Sequence, residues 1–162
     1  MINIKIICVG KVKEESLKNL IYEYTKRLAK YCKLEIIEIE DEKLPATSNE
    51  KENEKIKSIE CNKILEKLKK FSKSYIIALD INAKQYTSLE FAEKIENIST
   101  YHSSTIVFVI GGSLGLNLDI LNNVNEKISF SKMTFPHQLF RLFLLEQIFR
   151  GFKINNNETY HH

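Results

Sequence analysis

Apolar positions along this chain follow two spacings that take turns. Short aliphatic and β-branched runs, Ile2 to Val9, Leu34 to Ile39, Tyr75 to Ile81 and Thr105 to Ile110, read as strands. Between them the apolar residues recur at intervals of three and four. Leu17, Leu20, Ile21, Tyr24, Leu28 and Tyr31 mark one amphipathic helix over Glu14 to Tyr31. Ile56, Ile59, Ile64, Leu65 and Leu68 mark a second, from about Asn53 to Phe71. Ser88 is a plausible N-cap for a third helix through Ile98. A short helix near Leu118 to Val124 and a short strand, Ile128 to Phe130, follow. Pro136 suits the first turn of a last helix running to about Phe152. Asp41 to Glu52 is a polar, proline-bearing loop.

Strands alternating with helices predict an α/β fold, a mostly parallel sheet with helices on both faces. At 162 residues the chain reads as a single domain over 1–162. The final helix departs from the amphipathic pattern. Leu139, Phe140, Leu142, Phe143, Leu144, Leu145, Ile148, Phe149 and Phe152 occupy nearly its whole circumference. Such a helix is enclosed by more than one surface, either within one subunit or between two.

Composition narrows the function classes. A hydrophobic content of 43% and a charged content of 28% suit an ordinary water-exposed domain. The net charge of +3 is too mild to announce a nucleic-acid binder, so any RNA contact must come from local clusters. Residues 1–31 carry seven Lys/Arg against three acids, while 33–73 carry ten of each. Cys8, Cys32 and Cys61 are widely spaced and form no CxxC pair. That argues against a disulfide framework and a zinc site, and fits a reducing cytoplasm. No histidine has metal-ligand spacing, no apolar run approaches a bilayer span, and the first ten residues do not read as a secretory signal.

Candidate chemistry concentrates in the last third. The run Ile106-Val107-Phe108-Val109-Ile110 breaks into Gly111-Gly112-Ser113-Leu114-Gly115, and Ser131-Lys132-Met133-Thr134-Phe135-Pro136-His137 follows about twenty residues later. Buried strands ending in glycines build ligand crevices at their carboxyl ends. Two such ends suggest one site made of two loops. The loop is GGxxG, neither the dinucleotide fingerprint nor a P-loop. Its glycines let backbone amides and carbonyls approach a flat purine.

Leu79-Asp80, Ile110-Gly111-Gly112-Ser113-Leu114-Gly115-Leu116, Thr134-Phe135-Pro136-His137, Glu146-Gln147-Ile148-Phe149-Arg150 and the Tyr160-His161 ending occur in an order and spacing that resembles the SPOUT class of knotted RNA methyltransferases. The likeness is to the RlmH type, which methylates N3 of a pseudouridine in 23S ribosomal RNA, and it covers essentially the whole chain. The resemblance implies a carboxyl-terminal trefoil knot, a homodimer with the last helix at its interface, and the assembled ribosome as partner. It implies S-adenosyl-L-methionine on Leu79, Gly112, Ser131, Lys132, Met133, Thr134, Phe135 and Pro136, with Leu79, Leu116 and Phe135 sandwiching the adenine. A substituent at Gly112 should then intrude on the adenosine. An imide nitrogen must lose a proton to be methylated, and His137, Arg141, Arg150, Tyr160 and His161 are the candidates for catalytic roles.

Each has a plainer reading. His137 can be a structural hydrogen-bonder, Asp80 a turn acid, and Glu146 with Arg150 a simple i,i+4 pair. Asn155 to His162 alone reads as a frayed polar tail, and the usual basic residue after tyrosine-histidine is here His162. A SPOUT methyltransferase acting on another RNA such as tRNA, a non-catalytic ribosome- or RNA-binding module, and a small-molecule binder are the alternatives.

Overall fold

The computed structural model describes all residues, Met1 to His162. Five strands form one all-parallel sheet: β1 (Ile2–Val9), β2 (Cys32–Ile39), β3 (Tyr75–Leu79), β4 (Thr105–Ile110) and β5 (Glu126–Ile128). Their order across the sheet is β2-β1-β4-β3-β5. Five α-helices connect and follow them: α1 (Glu15–Leu28), α2 (Glu50–Leu68), α3 (Ser88–Tyr101), α4 (Leu118–Leu121) and α5 (His137–Asn155).

Period-two alternation along the strands divides the core into two layers. Ile4, Ile6 and Cys8 of β1 and Ile106, Phe108 and Ile110 of β4 point to one face, where they meet Leu28 of α1, Phe91, Ile95 and Ile98 of α3, and Leu144, Leu145 and Ile148 of α5. Ile7 and Val9 with Val107 and Val109 point to the other, against Cys61, Ile64 and Leu68 of α2 and Ile120 of α4. Both faces are covered, which is why β4 and the second half of β1 read as unbroken apolar runs. The expected α/β fold with helices on both faces is the one observed.

The differences lie at element ends. The cap of α3 is Thr87, not Ser88: Thr87 accepts from the Glu90 N–H while the Glu90 side chain accepts from the Thr87 N–H. This reciprocal box satisfies two otherwise orphaned donors, which Ser88 one position later cannot do. Helix α2 starts at Glu50, because the Asn49 side chain accepts from the Glu52 N–H. Pro136 is the cap residue of α5 and lies outside its first turn. Strand β5 ends at Ile128, where the apolar run was expected to begin. Its first residue, Glu126, accepts from Tyr75, Tyr86 and Lys94, so an acid that reads as loop anchors an edge strand.

Helix α5 packs against α1 and α3. Leu144, Leu145, Ile148, Phe149 and Phe152 are thereby buried within one subunit. Leu139, Leu142 and Phe143 remain half-buried on its outward side.

Candidate active site

Strands β3, β4 and β5 are adjacent and parallel, so their carboxyl ends open side by side. The loops leaving them enclose a cavity of about 600 Å³, with Phe140 of α5 also on its wall. Sequence patterning pointed to two loops; the turn after β3 makes three.

The β4 loop is a tight turn in which the Gly115 N–H donates to the Gly112 carbonyl (3.0 Å). Gly115 holds φ +79°, a left-handed conformation that favours glycine. A Cβ on Gly111 would lie 2.7 Å from the Gly115 carbonyl carbon, so only glycine lets the turn close. A Cβ on Gly112 would instead meet the Glu60 carboxylate at 2.9 Å and Val9 at 3.3 Å. Gly112 does line the cavity, but a substituent there points first toward α2 and β1. This corrects the expectation that it would intrude directly on an adenosine.

Glu60 is a buried carboxylate beneath this turn, 5% exposed, and its Oε2 accepts from the Glu42 N–H (3.1 Å). Burial pushes its pKa up, with Asp41 and Glu42 adding to the rise. Next to it, the Cys61 thiol accepts from the Asn117 N–H (3.4 Å). Both residues sit on α2, some fifty positions before the loop they support, so no local signal could reveal them. Cys8 and Cys32 are inert by burial, which pushes their thiols up to about 11 and about 12.

Ser129, also unforeseen, ties the other two loops together. Its buried hydroxyl lies 3.1 Å from the Ile81 carbonyl and 3.0 Å from the Ser131 carbonyl. Asp80 makes a turn of its own, accepting from the Asn82 N–H (3.2 Å), and also lines the cavity. Leu79, Gly112, Ser131, Met133, Thr134, Phe135, Pro136 and His137 all line the cavity. Lys132 does not; it is exposed on a shallow depression beside Ile81 and Gln85.

His137 opens α5 at the cavity wall, half-buried, with Nε2 facing Gly10. Burial and the Arg141 guanidinium lower its pKa against an opposing pull from Asp41, so it is neutral at pH 7. Arg141 does not reach the cavity. It is 2% exposed, donating to Glu38 Oε2 (2.8 Å) and to the Gly10 carbonyl (3.1 Å), and it ties α5 to the ends of β1 and β2.

Arg150, Tyr160 and His161 gather elsewhere, on the second half of α5. Glu146 Oε1 accepts from Arg150 Nε (3.0 Å) and Nη2 (2.6 Å) and from the Tyr160 hydroxyl (3.3 Å). The Arg150 guanidinium lies 4.8 Å over the Tyr160 ring, which packs edge-on against Phe149. Arg150 Nη1 and His161 Nδ1 are 3.1 Å apart. The carboxyl-terminal residues are therefore docked, and the frayed-tail reading fails. Burial first, then Tyr24 and the Glu146 charge, push the Tyr160 phenol up to about 12, so at neutral pH it is a hydrogen-bond donor.

The chain that builds these three loops, the glycine turn and the docked carboxyl-terminal segment matches the family model described as "Predicted SPOUT methyltransferase" over residues 2–161. The chain belongs to the SPOUT methyltransferase family. It is 56% identical over 159 residues to Ribosomal RNA large subunit methyltransferase H of Clostridium botulinum (strain Hall), covering 98% of this chain and 99% of that one. Among solved structures, this SPOUT chain resembles a probable methylase family protein from Haemophilus influenzae, with a TM-score of 0.57, 13% identity, and coverage of 99% of this chain and 70% of that one. It also resembles a methyltransferase from Legionella pneumophila in complex with the bound cofactor SAM, with a TM-score of 0.50, 10% identity, and coverage of 92% and 66%. At such identities these two structures speak for the fold alone. No helix of this SPOUT protein is long and apolar enough to cross a membrane.

Proposed function

We propose that the chain transfers the methyl group of S-adenosylmethionine to N3 of a pseudouridine in 23S rRNA, acting in the cytoplasm as a homodimer on the assembled ribosome. The observation that carries this reading is the full-length 56% identity to a large-subunit rRNA methyltransferase, with family membership over residues 2–161. The cavity fits the cofactor. Its volume of about 600 Å³ suits a nucleoside-sized ligand, its glycine turn exposes backbone, and Leu79, Leu116 and Phe135 give apolar walls for a purine.

S-adenosylmethionine supplies an electrophilic methyl group on a sulfonium that is a good leaving group. The chain's own task is alignment, where proximity contributes roughly 7–11 kcal/mol. Leu79, Gly112 and the residues 131–136 would hold the adenosine, with Lys132 at its outer margin. Glu60, Cys61 and Ser129 keep the loops in register. Arg141 acts by position, fixing Gly10 and the start of α5. Arg150, Tyr160 and His161 would meet the RNA. Neutral His137 would take the imide proton, or His161 beside Arg150 would, a role the high pKa of Tyr160 leaves it unsuited to.

The test is mass mapping of 23S rRNA nucleotides from cells with and without the gene, followed by methylation of the deficient ribosomes by purified protein. One pseudouridine should lose its N3-methyl group in the deletion and regain it in vitro. Unaltered 23S rRNA with a changed tRNA would move the activity to another substrate, and no changed RNA at all would leave a binding module.

A further inference from the structure

A sulfonium methyl donor and the thioether left after transfer differ by one methyl group and one positive charge. The cavity wall holds little that could tell them apart by charge. Its ionisable side chains are Asp80 and His137. Asp80 Oδ1 is engaged by the Asn82 N–H, and His137 is neutral at pH 7. A denser group of charges lies behind the wall.

Glu60 is buried on the side of the glycine turn that faces α2 and β1, its Oε1 2.9 Å from the point a Gly112 Cβ would occupy. Gly112 borders the cavity, so the backbone of the turn stands between the carboxylate and a bound ligand. Oε2 accepts from the Glu42 N–H (3.1 Å), whereas no protein group donates to Oε1, the oxygen nearer the turn. The charged groups around Glu60 are Asp41, Glu42 and Lys63. Lys63 is engaged elsewhere, 2.8 Å from Glu42 Oε1 and 3.3 Å from the Glu40 carbonyl. Asp41 lies toward Gly10, its carboxyl carbon 3.8 Å from that residue's Cβ position. Arg141, on the same stretch of backbone, donates to Glu38 and to the Gly10 carbonyl. Glu60 is therefore a buried carboxylate with no cation of its own, a placement that opposes folding and calls for another reason. Its field crosses protein to reach the cavity, where screening by salt is weak.

We propose that Glu60 is a specificity-determining residue of the cofactor site: acting through the glycine turn, its carboxylate favours the sulfonium of the methyl donor over the neutral thioether of the product. The assignment rests on the S-adenosylmethionine reading and adds to it how a cavity with so few charges prefers donor to product. Once the methyl group has gone, the charge that Glu60 attracts has gone too, and the product is retained only by contacts the two molecules share. An apolar residue at this helix position would pack at lower cost but could not make that distinction.

Two variants test this, each titrated by calorimetry at pH 8 with S-adenosylmethionine and, separately, with S-adenosylhomocysteine. Glu60→Gln removes the charge but keeps the size and an oxygen able to accept from the Glu42 N–H. It should weaken S-adenosylmethionine binding roughly tenfold, as loss of one weakly screened charge implies, and leave S-adenosylhomocysteine affinity unaltered. Glu60→Asp keeps the charge on a shorter side chain and should retain the preference for the donor. Equal losses for both ligands in Glu60→Gln would mean that the residue only supports the turn, and would overturn the proposal. Unaltered binding of both would overturn it as well, and so would a Glu60→Asp protein as indifferent to the sulfonium as Glu60→Gln. If the unaltered protein binds neither ligand, the cofactor reading itself fails, a result visible before any substitution is made.

Discussion

A methyl group on Gly111 would stand 2.7 Å from the carbonyl carbon and 2.8 Å from the oxygen of Gly115, both backbone atoms that cannot swing aside. At Gly112 the nearest atom is a carboxylate oxygen at the end of the Glu60 side chain, which can rotate where backbone cannot. Gly111→Ala should therefore cost about 1–3 kcal/mol of stability, in the range of other overpacking changes, and abolish cofactor binding. Gly112→Ala should do less of both. Thermal melts and calorimetry on the two variants check the order, and a milder Gly111→Ala would contradict the turn described. His137 makes a prediction about pH. Its folded pKa lies below the unfolded value because burial and Arg141 oppose its charge. The unfolded chain then binds more protons near pH 6, so stability is present above about 6.5, the unperturbed histidine pKa, and falls as pH drops through the folded pKa. Urea titrations at pH 7.5 and 5.5 should show a smaller acid loss for His137→Gln. An unchanged difference between the two pH values would assign the loss to other groups.

At the scale of elements, the carboxyl-terminal segment is the part most altered by tertiary structure. Glu158 is held by Tyr31 and Lys153, and beyond it Tyr160 packs on Phe149. Truncation after Glu158 should leave the end of α5 anchored, the fold intact and cofactor affinity unchanged. Ribosome methylation should fall at least tenfold, about 1.4 kcal/mol of transition-state stabilisation. A truncated protein working at the full rate would return these residues to a structural role. Local sequence could not have shown this docking, because its anchor, Glu146, lies fourteen residues away and already has an obvious partner in Arg150. The main helices and the strand β4 were legible because each repeats its own apolar period over several turns or a whole run. Thr87 and β5 were not, since a one-residue choice of cap depends on Glu90 and a three-residue strand depends on Tyr75, Tyr86 and Lys94. The glycine turn was visible as a motif; its supports on α2 were not, because burial of an acid such as Glu60 contradicts its usual preference.

For the whole molecule, the burial of α5 between α1 and α3 reduces what is left for a partner subunit. Leu139, Leu142 and Phe143 are half-buried, and Leu20 of α1 is 49% exposed. A homodimer is still expected from this apolar surface, smaller than the sequence suggested. Sedimentation at low micromolar concentration should show dimer only, and Leu142→Glu should yield a species of half that mass. A fully active monomer would refute the expected homodimer. The sheet order has a consequence in time as well as in space. Strand β1 pairs with β2 from Ile2↔Cys32 to Val9↔Ile39, but its other neighbour is β4, with Asn3↔Thr105 and Cys8↔Ile110. During synthesis at about 5–20 residues per second, the roughly seventy residues between the two partners take about 4–14 s to emerge. For those seconds one whole edge of β1 has nothing native to bind, and the nascent chain depends on speed or on a chaperone to keep that edge from pairing elsewhere.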